Sequence, residues 1–275
     1  MGSELSSADR GARSAYARPF VALLEALQLS GFAGEASIAE IGAALGDTGR
    51  VRMLTALLGN EALTAGELAH EARVTPQTAS GHLTRLIETG LLACLRQGRY
   101  RYYRIASPAV AELLETMMVA AAGAAKPRSR PRSDKDAALI RARTCYDHLA
   151  GRLGVAIAEQ MVAGRHVEWD GDGGVVTASG ARLLADLGLD LETLARRRRV
   201  FCRPCLDWSE RRFHIGGAVG AGLAEQLASL GWTKRTPNSR AVVVTAAGEK
   251  GLAETFGLEP ASLDRTPTAV SQPAA

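Results

Sequence analysis

Residues 74–104 contain Val74-Thr-Pro-Gln-Thr-Ala-Ser-Gly-His-Leu83, then Gly90-Leu-Leu92, then Gln97-Gly-Arg-Tyr-Arg-Tyr-Tyr-Arg104. The first block predicts a helix. Thr75 suits its N-cap, and Pro76 suits the first turn, where a missing N–H costs nothing. Ala79, Leu83, Leu86 and Ile87 fall at helical spacing as a buried stripe, and Gly90 closes the helix. The β-rich runs 91–96 and 100–105 follow, joined through Gln97, Gly98 and Arg99 as a hairpin.

Working outward, Ile38, Ile41 and Leu45 predict one helix upstream. Asp47 caps a second that carries Val51, Leu54, Leu57 and Leu58. Thr64-Ala-Gly-Glu67 is a capping-box pattern opening a third, with Leu68 and Ala69 inward. Downstream, Ser107-Pro108 opens a helix with Val110, Leu113, Leu114, Met117 and Met118. Helix, short turn, helix and hairpin is the winged helix-turn-helix plan, in which the second helix enters the major groove. Small polar side chains at the start of that helix can approach base edges. Thr75, Gln77, Thr78 and Ser80 are of that kind, and His82 and Arg85 extend the face. The hairpin carries Arg96, Arg99, Arg101 and Arg104, interleaved with Tyr100, Tyr102 and Tyr103. Residues 73–104 hold six arginines and one acid, a charge of +5, whereas residues 1–125 sum to −1. The cations sit on the reading unit.

These blocks, with Leu63-Thr-Ala-Gly-Glu-Leu-Ala69, resemble the ArsR family of bacterial transcriptional regulators over roughly residues 38–122. The resemblance implies a homodimer paired through its first and last helices, binding an inverted-repeat DNA operator, usually as a repressor. It places Gln77 and Ser80 at base-contact positions. Pro76 and Gly81 stand where family members often carry reading side chains. Metal-sensing members carry Cys-x-Cys on the helix before the reading helix, which here is Glu67-Leu-Ala-His-Glu-Ala72, without cysteine. Others carry Asp and His on the last helix of the winged domain, which here offers only Glu112 and Glu115. Neither familiar site is expected; His70 cannot form one alone, and Cys94 reads as a small core residue.

The chain has 275 residues, a net charge of +4, 47% hydrophobic and 5% aromatic residues. At ~100–200 residues per domain this length admits two domains, and the apolar content excludes a wholly disordered chain. No run approaches ~18 consecutive apolar residues, which excludes a membrane-spanning helix. The first residues lack the basic-then-apolar pattern of a secretory signal, and four cysteines make no disulfide framework. A cytoplasmic location is expected. Residues 1–19 read as a flexible arm and 20–125 as the winged DNA-binding and dimerisation domain. Residues 126–136, with two prolines and five basic residues, read as a linker. Residues 137–259 read as a sensor or support domain, and 260–275 as a disordered tail.

The second half contains a duplication. His148-Leu-Ala-Gly-Arg-Leu-Gly-Val-Ala-Ile-Ala-Glu-Gln-Met161 matches His214-Ile-Gly-Gly-Ala-Val-Gly-Ala-Gly-Leu-Ala-Glu-Gln-Leu227 at six of fourteen positions. Val175-Val-Thr-Ala-Ser-Gly180 matches Val243-Val-Thr-Ala-Ala-Gly248, and Arg143-Thr-Cys-Tyr-Asp147 matches Arg203-Pro-Cys-Leu-Asp207. Each copy reads as helix, hairpin, helix. The expected fold class is therefore mainly α with β-hairpins: a winged helix-turn-helix plus a duplicated helix–hairpin–helix domain. Gly151, Gly154, Gly217 and Gly220 suggest small helix faces that pack together about a pseudo-twofold axis. Effector or metal candidates are Cys145, Asp147, His148, Cys202, Cys205, Asp207, Trp208 and His214. Cysteine and histidine suit a zinc-like site or a thiol switch. The same residues also read as helix caps (Asp147, and Asp207 with Glu210) and buried core. Trp232, Arg211 and Arg212 read either as pocket lining or as packing, and residues 196–199 either as a contact to DNA backbone or a partner or as a solvated basic face.

The functional expectation is a dimeric DNA-binding repressor, not an enzyme, that releases its operator when an effector binds the C-terminal domain. A metal ion or a small molecule would serve as effector, and no other cofactor and no membrane partner are expected. The rivals are a constitutive DNA-binding protein, a winged helix used for protein interaction, and a Cys/His/Asp enzyme fused to a DNA-binding domain. Against the last, the chain has no P-loop, no Gly-x-Gly-x-x-Gly and no His-Glu-x-x-His.

Overall fold

The structure, a computed structural model, describes residues 35–59, 62–98, 100–124, 133–197, 199–237, 239–259 and 263. The arm expected over 1–19 lies outside the described residues, as does the part of the winged domain before residue 35.

The winged half is built as its caps dictate. Helix α1 (Glu35–Leu45) precedes α2 (Thr48–Leu57), where the Asp47 side chain accepts from the Arg50 N–H. Strand β1 (Leu63–Thr64) leads into α3 (Ala65–Ala72), and Thr64 with Glu67 forms the full capping box. Helix α4 (Pro76–Glu88) starts at the Thr75 cap. Strands β2 (Leu92–Gln97) and β3 (Tyr100–Ile105) form the wing, turning at Gly98 with φ +58. Helix α5 (Pro108–Ala124) closes the unit. One element is additional to the sequence reading: β1 pairs antiparallel with β3, Leu63 opposite Tyr103, to make a three-stranded sheet in the order β1-β3-β2. The core gathers Met53, Leu54, Leu57, Leu68, Ala79, Leu83, Leu86 and Tyr103. Ile87 departs from its expected place in the stripe. It is 39% exposed, because Ala79, Leu83 and Leu86 already span the face turned inward.

The linker expected over 126–136 ends earlier. Ser133 caps α6 (Asp134–Arg141), its Oγ accepting from the Asp136 N–H, and Asp134 and Asp136 suit the positive end of that helix. Residues 126–132 lie outside the described residues.

The duplicated half differs from helix, hairpin, helix by one added hairpin per copy. The first copy runs β4 (Arg143–Cys145), β5 (His148–Ala150), α7 (Gly151–Ala163), β6 (Val167–Asp170), β7 (Gly173–Val176) and α8 (Ala178–Asp186). A short α9 (Leu191–Ala195) follows. The second copy runs β8 (Arg203–Leu206), β9 (Phe213–Gly216), α10 (Gly217–Ser229), β10 (Thr233–Arg235), β11 (Val242–Val244) and α11 (Ala246–Phe256). His148 and His214, helical by their spacing, are therefore in strands. The switch to helix falls at Gly151 and Gly217, with φ +72 and +81, a conformation that glycine alone adopts freely.

The copies cross. Helix α7 packs on β9 of the other copy, and α10 packs on β5. A β-carbon at Gly154 would lie 2.4 Å from the Leu149 carbonyl oxygen and 3.6 Å from the His214 Cβ. One at Gly220 would lie 2.1 Å from the Ile215 carbonyl oxygen and 3.2 Å from the His148 Cβ. The glycines thus seat each helix on strands, not on the other helix as the sequence suggested. Leu149, Ile157, Ile215 and Leu223 meet in this region, within a core that includes Leu153, Met161, Val219 and Leu227. Thr177 and Thr245, at matching places in the repeat, cap α8 and α11. Of the tail expected over 260–275, only Leu263 is among the described residues; it is buried in this core, and its carbonyl accepts from Arg152 Nη1 at 3.3 Å.

Gly180 and Gly248 are equivalent, and at each a β-carbon would lie 2.0 Å from a backbone carbonyl oxygen, of His166 and Trp232 respectively. Gly180→Ala and Gly248→Ala are each expected to lower stability by about 1–3 kcal/mol, the ordinary cost of overpacking. Gly81→Ala, in open space on α4, is expected to raise it by up to about 1 kcal/mol. Urea unfolding of the three variants checks the opposite signs.

Candidate nucleic-acid interface and a buried cysteine–histidine cluster

The start of α4 is presented outward. Thr75, Gln77, Thr78, Ser80 and Arg85 are exposed. Thr75 and Thr78 are tied to each other by a 2.9 Å hydroxyl contact and by the cap bond from the Thr78 N–H. Gln77 and Ser80 make no hydrogen bond among the described residues, so their donors and acceptors are available to a base edge. His82 is placed differently from its neighbours. Its Nε2 lies 3.5 Å from Asp47 Oδ1 and its Nδ1 3.4 Å from Arg50, so it braces α4 against the start of α2.

On the wing, Arg96 and Arg101 stand directly opposite each other in the β2–β3 register. Both are exposed, and neither has a carboxylate partner among the described residues. Like charges facing across a ladder destabilise it, so the free protein bears a cost here that an anion would remove. Arg104 is exposed on the same strand, and Arg99 lies outside the described residues. Cys94 is half-buried against the winged core, as expected.

The second constellation assembles from both copies. Cys145, His148, Cys205 and His214 place their ligand-type atoms within 4.8 Å of one another. The Cys145 and Cys205 sulfurs are 3.9 Å apart, and the two imidazoles stack with centroids 5.0 Å apart. Cys145 stands opposite His148 across the β4–β5 ladder, and Cys205 stands opposite His214 across the β8–β9 ladder. Asp147 Oδ1 lies 3.2 Å from His148 Nδ1, and Asp147 also accepts from Arg199. Asp207 Oδ2 is 3.8 Å from His214 Nδ1. His148 Nε2 and both ring nitrogens of His214 are buried without a hydrogen-bond partner.

The electrostatics are uneven. The Cys145 hydrogen bond and the two imidazoles hold the Cys205 thiol well below its usual range, while the same sulfur–sulfur contact and burial push Cys145 up. Burial disfavours a charged His148, but Asp147 and Cys205 outweigh it and raise its pKa to about 9.

The remaining candidates separate from this group. Cys202 is buried beside Gly174, and burial pushes its thiol up to about 12. The Cys-x-x-Cys spacing does not bring Cys202 into the cluster, because Cys202 precedes β8 and its sulfur is turned to Gly174. Asp207 is no helix cap of its own segment. Its carboxylate takes Arg143 Nη2 at 2.8 Å, the Gly151 N–H at 2.7 Å, and the Ser209 and Glu210 N–H groups. It thereby caps α7 of the first copy. Trp208 lies beneath the Arg143 guanidinium at 4.3 Å. Trp232 is packing, wedged against Gly248 and Gly251. In the 196–199 run, Arg196, Arg197 and Arg199 pair with Glu192, Glu225 and Asp147. Arg212 pairs with Glu159 and Glu210, and Arg211 donates to the Ala122 carbonyl.

Sequence reading missed how the halves join. Arg240 and Glu115 form a buried 2.8 Å pair between the second copy and α5. Arg203 reaches Glu112 at 3.1 Å. Tyr146, at the tip of the β4–β5 hairpin with φ +56, packs against the winged core. The positive φ at a non-glycine position could not be read from residue type, although Tyr146 lies between two candidate residues.

Residues 45–94 match a helix-turn-helix domain family. The chain is 39% identical over 213 residues to YdfF of Bacillus subtilis (strain 168), described as an uncharacterized HTH-type transcriptional regulator. That alignment covers 78% of this chain and 94% of the relative. Similar solved structures include the homodimeric winged helix-turn-helix fragment Mb0332 of Mycobacterium bovis, a possible ArsR-family regulator. It is 29% identical, covering 35% of this chain and 89% of that one, with a TM-score of 0.32. Another is the AntR antimony-specific transcriptional repressor, 29% identical, covering 36% and 92%, with a TM-score of 0.29.

Proposed function

Because the chain belongs to the helix-turn-helix transcriptional regulators, we propose that it is an ArsR-type repressor that grips an inverted-repeat operator as a homodimer. It is a DNA-binding transcriptional regulator, and the proposal concerns its contact set, its dimer and its signal. The observation that carries the contact set is the pairing of an outward polar helix start with an unneutralised arginine pair on the wing. Gln77 and Ser80 read bases from the major groove, and Arg96, Arg101 and Arg85 hold phosphates. Arg99 is assigned to the phosphates from the sequence alone. The dimer is supported by apolar exposure on the outer helices: Ile38 is 65% exposed on α1, and Met117 is 45% exposed on α5. The duplicated half, clamped to α5 by Arg240, is placed to bias the spacing of the two reading helices. No helix among the described residues is long and apolar enough to cross a membrane, and a cytoplasmic location follows from the DNA partner.

Selection of bound sequences from a random duplex library tests this reading. An inverted repeat with two half-sites is expected. Failure to enrich any sequence at moderate salt overturns it. Gln77→Ala is expected to lose about 1–3 kcal/mol of discrimination at one position per half-site while leaving non-operator binding unchanged. Competition titrations with single-base operator variants measure it.

A further inference from the structure

We propose that Cys145, His148, Cys205 and His214 form a metal site that takes one zinc-class divalent ion per chain, tetrahedrally, at the crossing of the two copies. The site is independent of the DNA reading, since none of these residues lies in the winged half. It also differs in place and ligands from the two familiar ArsR metal patterns, which would fall on α3 and α5.

Four observations support it. First, two thiols and two imidazoles are the donor set that suits zinc, and two thiolates neutralise a divalent ion. Second, the spacing fits. With zinc–sulfur bonds of about 2.3 Å, the edge of a tetrahedron is about 3.8 Å, and the sulfurs lie 3.9 Å apart. Third, three buried ring nitrogens have no partner: His148 Nε2 and both nitrogens of His214. A buried ring nitrogen left so costs stability, and an ion would take the lone pair of one nitrogen from each ring. Fourth, a carboxylate stands behind His148. Asp147 engages its Nδ1 at 3.2 Å, which orients the ring and leaves Nε2 to face the cluster, as carboxylates do behind zinc-bound histidines. On binding, the two cysteines coordinate as thiolates and the two imidazoles as neutral rings, so the protons that Cys145 and His148 carry in the free chain go to solvent. A Cys145–Cys205 disulfide accounts for the sulfurs alone and leaves the imidazole nitrogens unpartnered.

The ligand hairpin also touches the reading half. Tyr146 is next to Cys145 in the chain and packs in the winged core.

The test uses the full-length chain, purified with a thiol reductant, stripped of metal and titrated with Co2+ alone and then Zn2+. Uptake of one Co2+ per chain is expected, with intense visible d–d absorption of tetrahedral cobalt and a thiolate charge-transfer band. One equivalent of Zn2+ should bleach both. Cys205→Ser and His214→Gln should abolish the stoichiometric complex, and Cys94→Ser should retain it. Asp147→Asn should weaken Zn2+ binding about 10–100-fold without changing the geometry of the cobalt spectrum. Absence of uptake by the unaltered chain, a weak octahedral spectrum, or an unchanged complex in Cys205→Ser overturns the site. So does a Cys145–Cys205 disulfide that persists in reductant. Operator binding, measured separately, reports on the DNA reading whichever way the titration falls.

Discussion

Asp207→Asn is expected to destabilise the duplicated half by about 3–5 kcal/mol, the cost of removing one member of a buried ion pair. Asp207 and Arg143 are both about 1% exposed and lie 2.8 Å apart. The carboxylate is held well below its usual range; burial opposes this, but Arg143, His214 and the Ser209 and Glu210 bonds outweigh it. The amide would leave the Arg143 guanidinium in the interior with only the Leu139 carbonyl, the Ser209 hydroxyl and the Trp208 face. It would also weaken the cap on α7. Arg143→Met should cost less, because the carboxylate keeps its bonds from Gly151, Ser209 and Glu210. Denaturant unfolding of the two single variants and the double variant measures the order. An Asp207→Asn loss below that of Arg143→Met would show that the pair is not the hub described.

Replacing Arg96 and Arg101 together by alanine is expected to weaken binding to operator and non-operator DNA alike. Each phosphate that the protein no longer neutralises reduces the slope of log K against log salt concentration by about 0.9, so the double variant should flatten it by about 2 per chain. The free protein should become slightly more stable, since two facing like charges are removed from the β2–β3 ladder. This pairing of weaker DNA binding with higher stability separates an electrostatic grip from general damage to the wing. Fluorescence anisotropy over a salt series, with thermal unfolding of the same samples, gives both numbers. An unchanged slope would remove the wing from the interface.

The winged half is legible in the sequence because its signals are local. Asp47, the Thr64–Glu67 box and Thr75-Pro76 each fix a helix start within four residues, and the structure has all three. Strand β1 escapes because it is two residues long and its second residue is also the cap of α3. Periodicity turns His82 outward with its neighbours, but its partner Asp47 is 35 residues away and invisible to periodicity. In the duplicated half the repeat is plain, yet helical spacing puts its helix starts three residues early. His148-Leu-Ala runs on smoothly into that spacing, and the break falls at Gly151, whose positive φ and closeness to the carbonyls of Leu139 and Ile140 are set by the tertiary fold. The four clustered side chains are all visible in the repeat. What sequence cannot supply is the crossing that removes Cys202 and brings Cys145 to Cys205.

That crossing has a consequence during synthesis. The strand β5 is covered mainly by α10, 66 residues later when counted from His148 to His214. At about 5–20 residues per second, the ribosome takes roughly 3–13 s to deliver the matching part. For that interval the first copy stands half-covered outside the exit tunnel, with Leu149 and Ile157 facing water. A stall or truncation between the copies would leave a chain whose reading half is complete and whose second half is an apolar surface for chaperones and proteases.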